Sequence, residues 1–154
     1  MPFVTRQSFF VLCVLALSGM PGAASAQSES DAAPVAVVER FGAALAKGDL
    51  ATVESLLDPQ VLILESGGSE QDRAEYMGHH AGADAKFLRG ATVLPGRRRV
   101  HVEGEMAWVG SESEIHARDG GKPITLRSTE TMVLRRRDGA WRIVHIHWSS
   151  RRAP

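Results

Sequence analysis

Three glycine-bearing pairs punctuate the second half of the chain: Gly104-Glu105, Gly120-Gly121 and Asp138-Gly139. Each suits a two-residue hairpin turn of type I′ or II′, whose twist matches that of the strands it joins. From Ala91 onward the hydrophobic pattern has period two, the mark of half-buried strands. Together the turns predict a four-stranded antiparallel meander and fix its register. The last hairpin is expected to pair Leu134 with Ile143, Met132 with His145, Glu130 with His147 and Ser128 with Ser149. The middle one pairs Ala107 with Leu134, Val109 with Met132, Ser111 with Glu130 and Ile115 with Leu126. The first pairs Val102 with Ala107, Val100 with Val109 and Arg98 with Ser111.

This register sorts the side chains by face. One face collects Val102, Ala107, Val109, Met132, Leu134 and Ile143, grading into a polar row, Arg98–Ser111–Glu130–His147. Ser113, Ser128 and Ser149 continue beyond it. The opposite face carries Trp108, Val133, Val144, Ile146 and Trp148, with a Glu114–Arg127 cross-strand pair. The turn positions owe nothing to hydrophobicity, so the gathering of small and apolar residues on one face supports the register.

Upstream the period is helical. Val38, Phe41 and Leu45 stripe a helix over Val35 to Lys47, with Gly48 as its C-cap. Asp49 caps a short second helix carrying Leu50, Val53, Leu56 and Leu57, which Asp58-Pro59 stops. "VLILE", Val61 to Glu65, is a short strand closed by Gly67-Gly68. Asp72 with Glu75 opens a third helix in the manner of a capping box, its stripe running through Tyr76, His80, Ala83 and Phe87. The fold class is therefore α+β: three N-terminal helices packed on a curved antiparallel sheet. Helices that cover only the apolar half of the sheet leave a cavity floored by the polar row.

The N-terminus reads as a leader. Arg6 supplies a positive n-region, "FFVLCVLAL" (Phe9 to Leu17) an apolar h-region, and Ala24-Ser25-Ala26 a small-x-small cleavage site. Residues 1–26 are thus expected to be a secretory signal peptide, 27–33 a flexible spacer and 34–151 the single domain. The h-region is shorter than the roughly 20 residues a membrane-spanning helix needs, so no membrane attachment is expected after cleavage and the protein is expected to be periplasmic or secreted. Cys13, the only cysteine, leaves with the leader, which excludes thiol catalysis and disulfides in the mature chain. The loss of Arg6 from a chain with 18 basic and 18 acidic residues leaves one excess negative charge. That balance does not suit a nucleic-acid binder.

Three helices followed by a meander ending in Trp141-x-x-x-His145-x-His147 resemble the nuclear-transport-factor-2-like superfamily, in particular its SnoaL-like, ketosteroid-isomerase-like branch. "DGAWRIVHIHWSS" is also similar to the closing strand of the calcium/calmodulin-dependent kinase association domain, which shares that fold. The resemblance covers Pro34 to Arg151 and implies a cone-shaped α+β barrel. That fold hosts isomerases, cyclases, dehydratases and non-catalytic binders. The isomerase chemistry uses a carboxylate base with a tyrosine and a protonated aspartic acid. Tyr76 is the only tyrosine and no aspartate falls on the expected cavity strands, a departure that speaks against steroid isomerisation. The resemblance also places the early strand beside the last one, bringing Glu65 towards His147.

The candidate site follows from these placements. Glu130 and His147 form an expected acid–base dyad, the carboxylate raising the imidazole pKa and fixing its tautomer. Arg98, Ser111, Ser128, His145, Tyr76, His80 and Glu65 are the expected ligand contacts. His145, opposite Met132, reads first as a core histidine hydrogen-bonded to backbone or water and second as a ligand contact, and Asp84 at i+4 is placed to orient His80. No resident cofactor is expected. The alternative is a divalent metal held by His80, His145, His147 and Glu130, since imidazole and carboxylate suit zinc, copper or iron. The leading expectation is an exported domain binding a small organic molecule, with isomerase- or lyase-type acid–base chemistry. The alternatives are a non-catalytic dimeric binding or assembly module and a periplasmic metal-binding protein. A homodimer through the outer sheet face is expected from its apolar patch.

Overall fold

In a computed structural model, which describes residues 23–153, all three glycine-bearing turns form. Asp138 and Gly139 both take the positive φ that a type I′ turn demands, 52° and 77°. The elements are α1 (Ala23–Lys47), α2 (Leu50–Leu56), β1 (Leu57–Glu65), β2 (Gly68–Glu70), α3 (Arg73–His79), α4 (Ala81–Arg89), β3 (Thr92–Glu103), β4 (Met106–Asp119), β5 (Lys122–Arg137) and β6 (Ala140–Arg152). The strands make one sheet in the order β2-β1-β6-β5-β4-β3. The meander is antiparallel as expected, but β1 lies parallel to β6, so the sheet is mixed. The helices pack on one face of it, giving the expected α+β architecture.

The β4–β5 hairpin follows the expected register throughout, from Ala107–Leu134 to Ile115–Leu126. The β3–β4 hairpin keeps it as far as Arg98–Ser111, after which a bulge sets Pro95 opposite Ser113. The β5–β6 hairpin keeps it only near the turn. Leu134 faces Ile143, but Val144 is an extra residue, and beyond it Val133 faces His145, Met132 faces Ile146 and Glu130 faces Trp148. One inserted residue sends every later side chain to the other face. The expected pairs Met132–His145, Glu130–His147 and Ser128–Ser149 are therefore corrected, as is the placing of Ile146 and Trp148 on the outer face. Packing accounts for the slip: the bulge buries Ile146 fully and turns Trp148 inward, where the unbulged register would bury two imidazoles.

The helical stripes pack against this inner face. Phe41 and Leu45 of α1, Val53 of α2 and Tyr76 of α3 are buried over Val109, Met132, Leu134 and Ile143. Both predicted N-caps form, Asp49 accepting from Thr52 N (3.1 Å) and Asp72 from Glu75 N (2.8 Å). Two helices differ from expectation. α1 opens at Ala23, so residues 27–33, expected as a spacer, are helical. The third helix breaks at His80, between Gly78 and Gly82, residues that weaken a helix by about 1 kcal/mol each relative to alanine. The expected leader lies outside the described residues except for its last four, which begin α1.

Candidate functional site

The helices cover the sheet incompletely, and between α1, α4 and the inner face of β3–β6 lies a cavity of about 650 Å³. Its floor is a row crossing five strands. Glu65 of β1 faces Trp148 of β6, Trp148 faces Glu130 of β5, Glu130 faces Ser111 of β4, and Ser111 faces Arg98 of β3. Beside the row stand Phe41, stacked on Trp148 with ring centroids 6.3 Å apart, and Ser128. Phe87 and Val93, both well exposed, give the mouth an apolar rim.

Hydrogen bonds fix the row. The Trp148 indole Nε1–H donates to Glu130 Oε2 at 2.8 Å. Burial pushes the Glu130 carboxyl above the usual glutamate range, while the Trp148 N–H, the Arg98 charge and the Ser111 hydroxyl pull it partly back. Arg98 crosses to the helical layer, its Nη1 donating to Glu39 Oε1 of α1 at 2.5 Å. Burial also raises Glu65, helped by the neighbouring Asp84 and Glu70 carboxyls. Asp84 of α4, which lines the cavity, is raised by burial and held back by the Tyr76 hydroxyl, which donates to its Oδ2 at 3.0 Å. Burial and the Asp84 charge push the Tyr76 phenol far above its ordinary value, so Tyr76 works as a hydrogen-bond donor and not as a base. Three carboxyls whose pKa burial raises thus line one space.

Of the expected contacts, Glu65, Arg98, Ser111, Ser128 and Glu130 come together in the cavity. Tyr76 is fully buried behind it and reaches it through Asp84. The histidines do not arrive. His147 is exposed on the outer face, and half-buried His145 sets its Nδ1 2.9 Å from the Leu62 carbonyl oxygen. A carbonyl can only accept, so that nitrogen carries the proton. His80, half exposed at the α3–α4 break, pairs with the buried Glu70 carboxylate. The Glu130–His147 dyad is therefore corrected: the bulge at Val144 puts Trp148 in the place of His147. The alternative metal set fails for the same reason, its histidines lying at separate places, and among the described residues no cluster of three or more His, Cys, Asp or Glu could hold a metal ion. Trp148, Asp84 and Phe41 are the site residues that sequence reasoning missed. The signal for Trp148 was the apolar alternation Val144-Ile146-Trp148, which competes with the histidines for the inner face.

Helices on one face of a six-stranded mixed sheet, with a cavity between the layers, are the architecture of the nuclear-transport-factor-2-like class. Within it, the family model of the SnoaL-like domain matches residues 35–152, and the chain belongs to that family. A candidate ketosteroid isomerase from Shewanella frigidimarina is 38% identical over 73% of this chain and 91% of its own, with a TM-score of 0.71. The fold is shared at lower identity by an NTF2-like protein with a cystatin-like fold from Novosphingobium aromaticivorans (19% identity, 86% of this chain, 90% of that one, TM-score 0.68). It is also shared by the CaMKII hub of S. rosetta (21% identity, 79% of this chain, 96% of that one, TM-score 0.67). No curated protein matches the chain.

Proposed function

We propose that this chain is an exported SnoaL-like domain that binds a small organic molecule in the cavity and moves protons on it with Glu130. The observation that carries the reading is the Glu65–Trp148–Glu130 floor of a cavity of about 650 Å³, a size that suits a ligand of drug-like dimensions. Glu130 has the attributes of a proton-transfer group. One oxygen is held by the Trp148 N–H, and burial raises its pKa above the ordinary glutamate value, which makes it a stronger base than a solvated carboxylate. A carboxylate there takes a proton from a carbon beside an electron-withdrawing group and returns it at another carbon, a net isomerisation. Asp84, also raised by burial, lines the same space and in its protonated form donates a hydrogen bond to the oxygen on which charge develops. Export rests on the leader motif, and N-terminal sequencing of the exported protein is expected to begin at Gln27.

The test is a thermal-shift screen of small organic molecules against the wild type and Ser111→Trp, which fills the cavity. Stabilising compounds are expected, and their effect should vanish in the variant. Hits that stabilise both proteins equally, or no hits at all, would overturn the reading.

A second reading, a dimeric module using the outer face, is favoured by Trp108, 42% exposed there beside His101. It is compatible with the first, because the two use opposite faces of the sheet.

A further inference from the structure

Charge is distributed unevenly around the cavity. Its walls carry Glu39, Glu65, Asp84 and Glu130 against a single basic side chain, Arg98, and that guanidinium is already engaged by Glu39. Among the described residues, none of Glu65, Asp84 and Glu130 makes an ion pair. Glu130 and Asp84 are half-buried and Glu65 is exposed at the cavity's edge. The neutral donors on Glu130 and Asp84 satisfy a hydrogen bond each without neutralising a charge. A cation is the partner such carboxylates lack.

The same space is aromatic at its floor. Trp148 sits between Glu65 and Glu130 on adjacent strands, which at about 4.8 Å per strand puts the two carboxyl-bearing positions roughly 10 Å apart with an indole between them. Phe41 lies against that indole. Indole between carboxylates is the arrangement that receives an ammonium group, by cation–π attraction to the ring and Coulomb attraction to its neighbours. Leu45, Phe87, Leu88 and Val93 offer an apolar wall beyond it.

We infer that the ligand is a cationic amphiphile: an amine bearing an apolar ring or chain, its ammonium group on Trp148 between Glu65 and Glu130. The cavity and its aromatic floor define the site, and the carboxyls select what enters it. An anionic ligand meets four acidic side chains and one engaged arginine. A neutral ligand fills the apolar part but gives the carboxylates no partner. The raised Glu65 and Glu130 carboxyls fit this assignment, since a cation bound between them returns them towards the ionised form. The inference rests on the ligand-binding reading above and narrows it to one chemical class.

Three probes of one shape separate the possibilities: 1-adamantanamine, 1-adamantanol and 1-adamantanecarboxylate, titrated calorimetrically into the mature protein near pH 7. The amine is expected to bind at least about tenfold more tightly than the alcohol, a difference near 1.4 kcal/mol, with the carboxylate weakest. In Glu65→Gln/Glu130→Gln that preference should disappear, the amine binding the variant no more tightly than the alcohol does; a preference that persists in the variant would mean that these carboxyls do not select the cation. An alcohol or carboxylate that binds the wild type as tightly as the amine overturns the ligand class and leaves the binding site standing. Failure of all three probes removes the binding site and the ligand class together.

Discussion

Glu130 shares its hydrogen bond with an indole and not with an imidazole, and its chemistry changes accordingly. An imidazolium partner would have held the carboxyl ionised, whereas a neutral N–H offsets only part of the effect of burial. A carboxyl whose folded pKa lies above its unfolded value binds more protons in the folded state. It therefore stabilises the fold fully below the ordinary value of 4.5 and loses that contribution as pH rises through the raised value. Glu65 and Asp84 carry the same sign. Thermal midpoints of the unliganded wild type should accordingly fall, relative to those of Glu130→Gln, as pH climbs from about 4 towards neutrality. A difference between the two proteins that stays flat with pH would mean that Glu130 is not buried. At this scale Arg98, Ser111, Ser128 and Glu130 were legible in the sequence, because alternation assigns them to the cavity face, while Glu65 was placed there by the family resemblance. Asp84 was not, since its role depends on how two helices meet at His80.

The β5–β6 hairpin shows how far a turn determines a strand. Asp138-Gly139 sets the pairing of Leu134 with Ile143, and the register holds until the chain meets an extra residue. No glycine marks the bulge at Val144, so no residue type announced it. What decided it was a competition between two alternating sets, His145 and His147 against Ile146 and Trp148, for one buried face. In β4–β5, where no such competition exists, the expected register holds from end to end. The bulge makes opposite demands on neighbouring residues. Ile146→Ala should cost about 2–5 kcal/mol in chemical denaturation, as for a fully buried aliphatic side chain. His147→Ala should stay within about 0.5 kcal/mol of wild type. The unbulged register predicts the reverse order, so the pair of variants separates the two.

Across the whole molecule, the sheet has two faces with separate work. The inner face closes the core and floors the cavity, and the outer face leaves Trp108 and Met106 exposed. The α+β class was legible because the helical and strand periods occupy different halves of the chain. The parallel β1–β6 pairing was not, as nothing local to "VLILE" specifies a partner some eighty residues away. With Ile146 and Trp148 turned inward, the outer patch is smaller than alternation alone implied and centres on Trp108. A homodimer through that patch should sediment as such at micromolar concentration, and Trp108→Glu should yield folded monomers with an intact cavity. A wild type that sediments as a monomer would end the dimer proposal without touching the ligand site.

The bulge at Val144 sets Trp148 beside Glu130 inside the cavity, and the indole N–H of Trp148 reports on it directly. Its two-dimensional nitrogen–proton resonance, followed through an acid titration, should move with the Glu130 carboxyl, with a midpoint above the ordinary 4.5. In Glu130→Gln that movement should vanish while the Trp108 and Trp141 resonances titrate as before. A Trp148 signal indifferent to Glu130→Gln, with the His147 ring titration shifting in its place, would contradict the bulge and the site built on it.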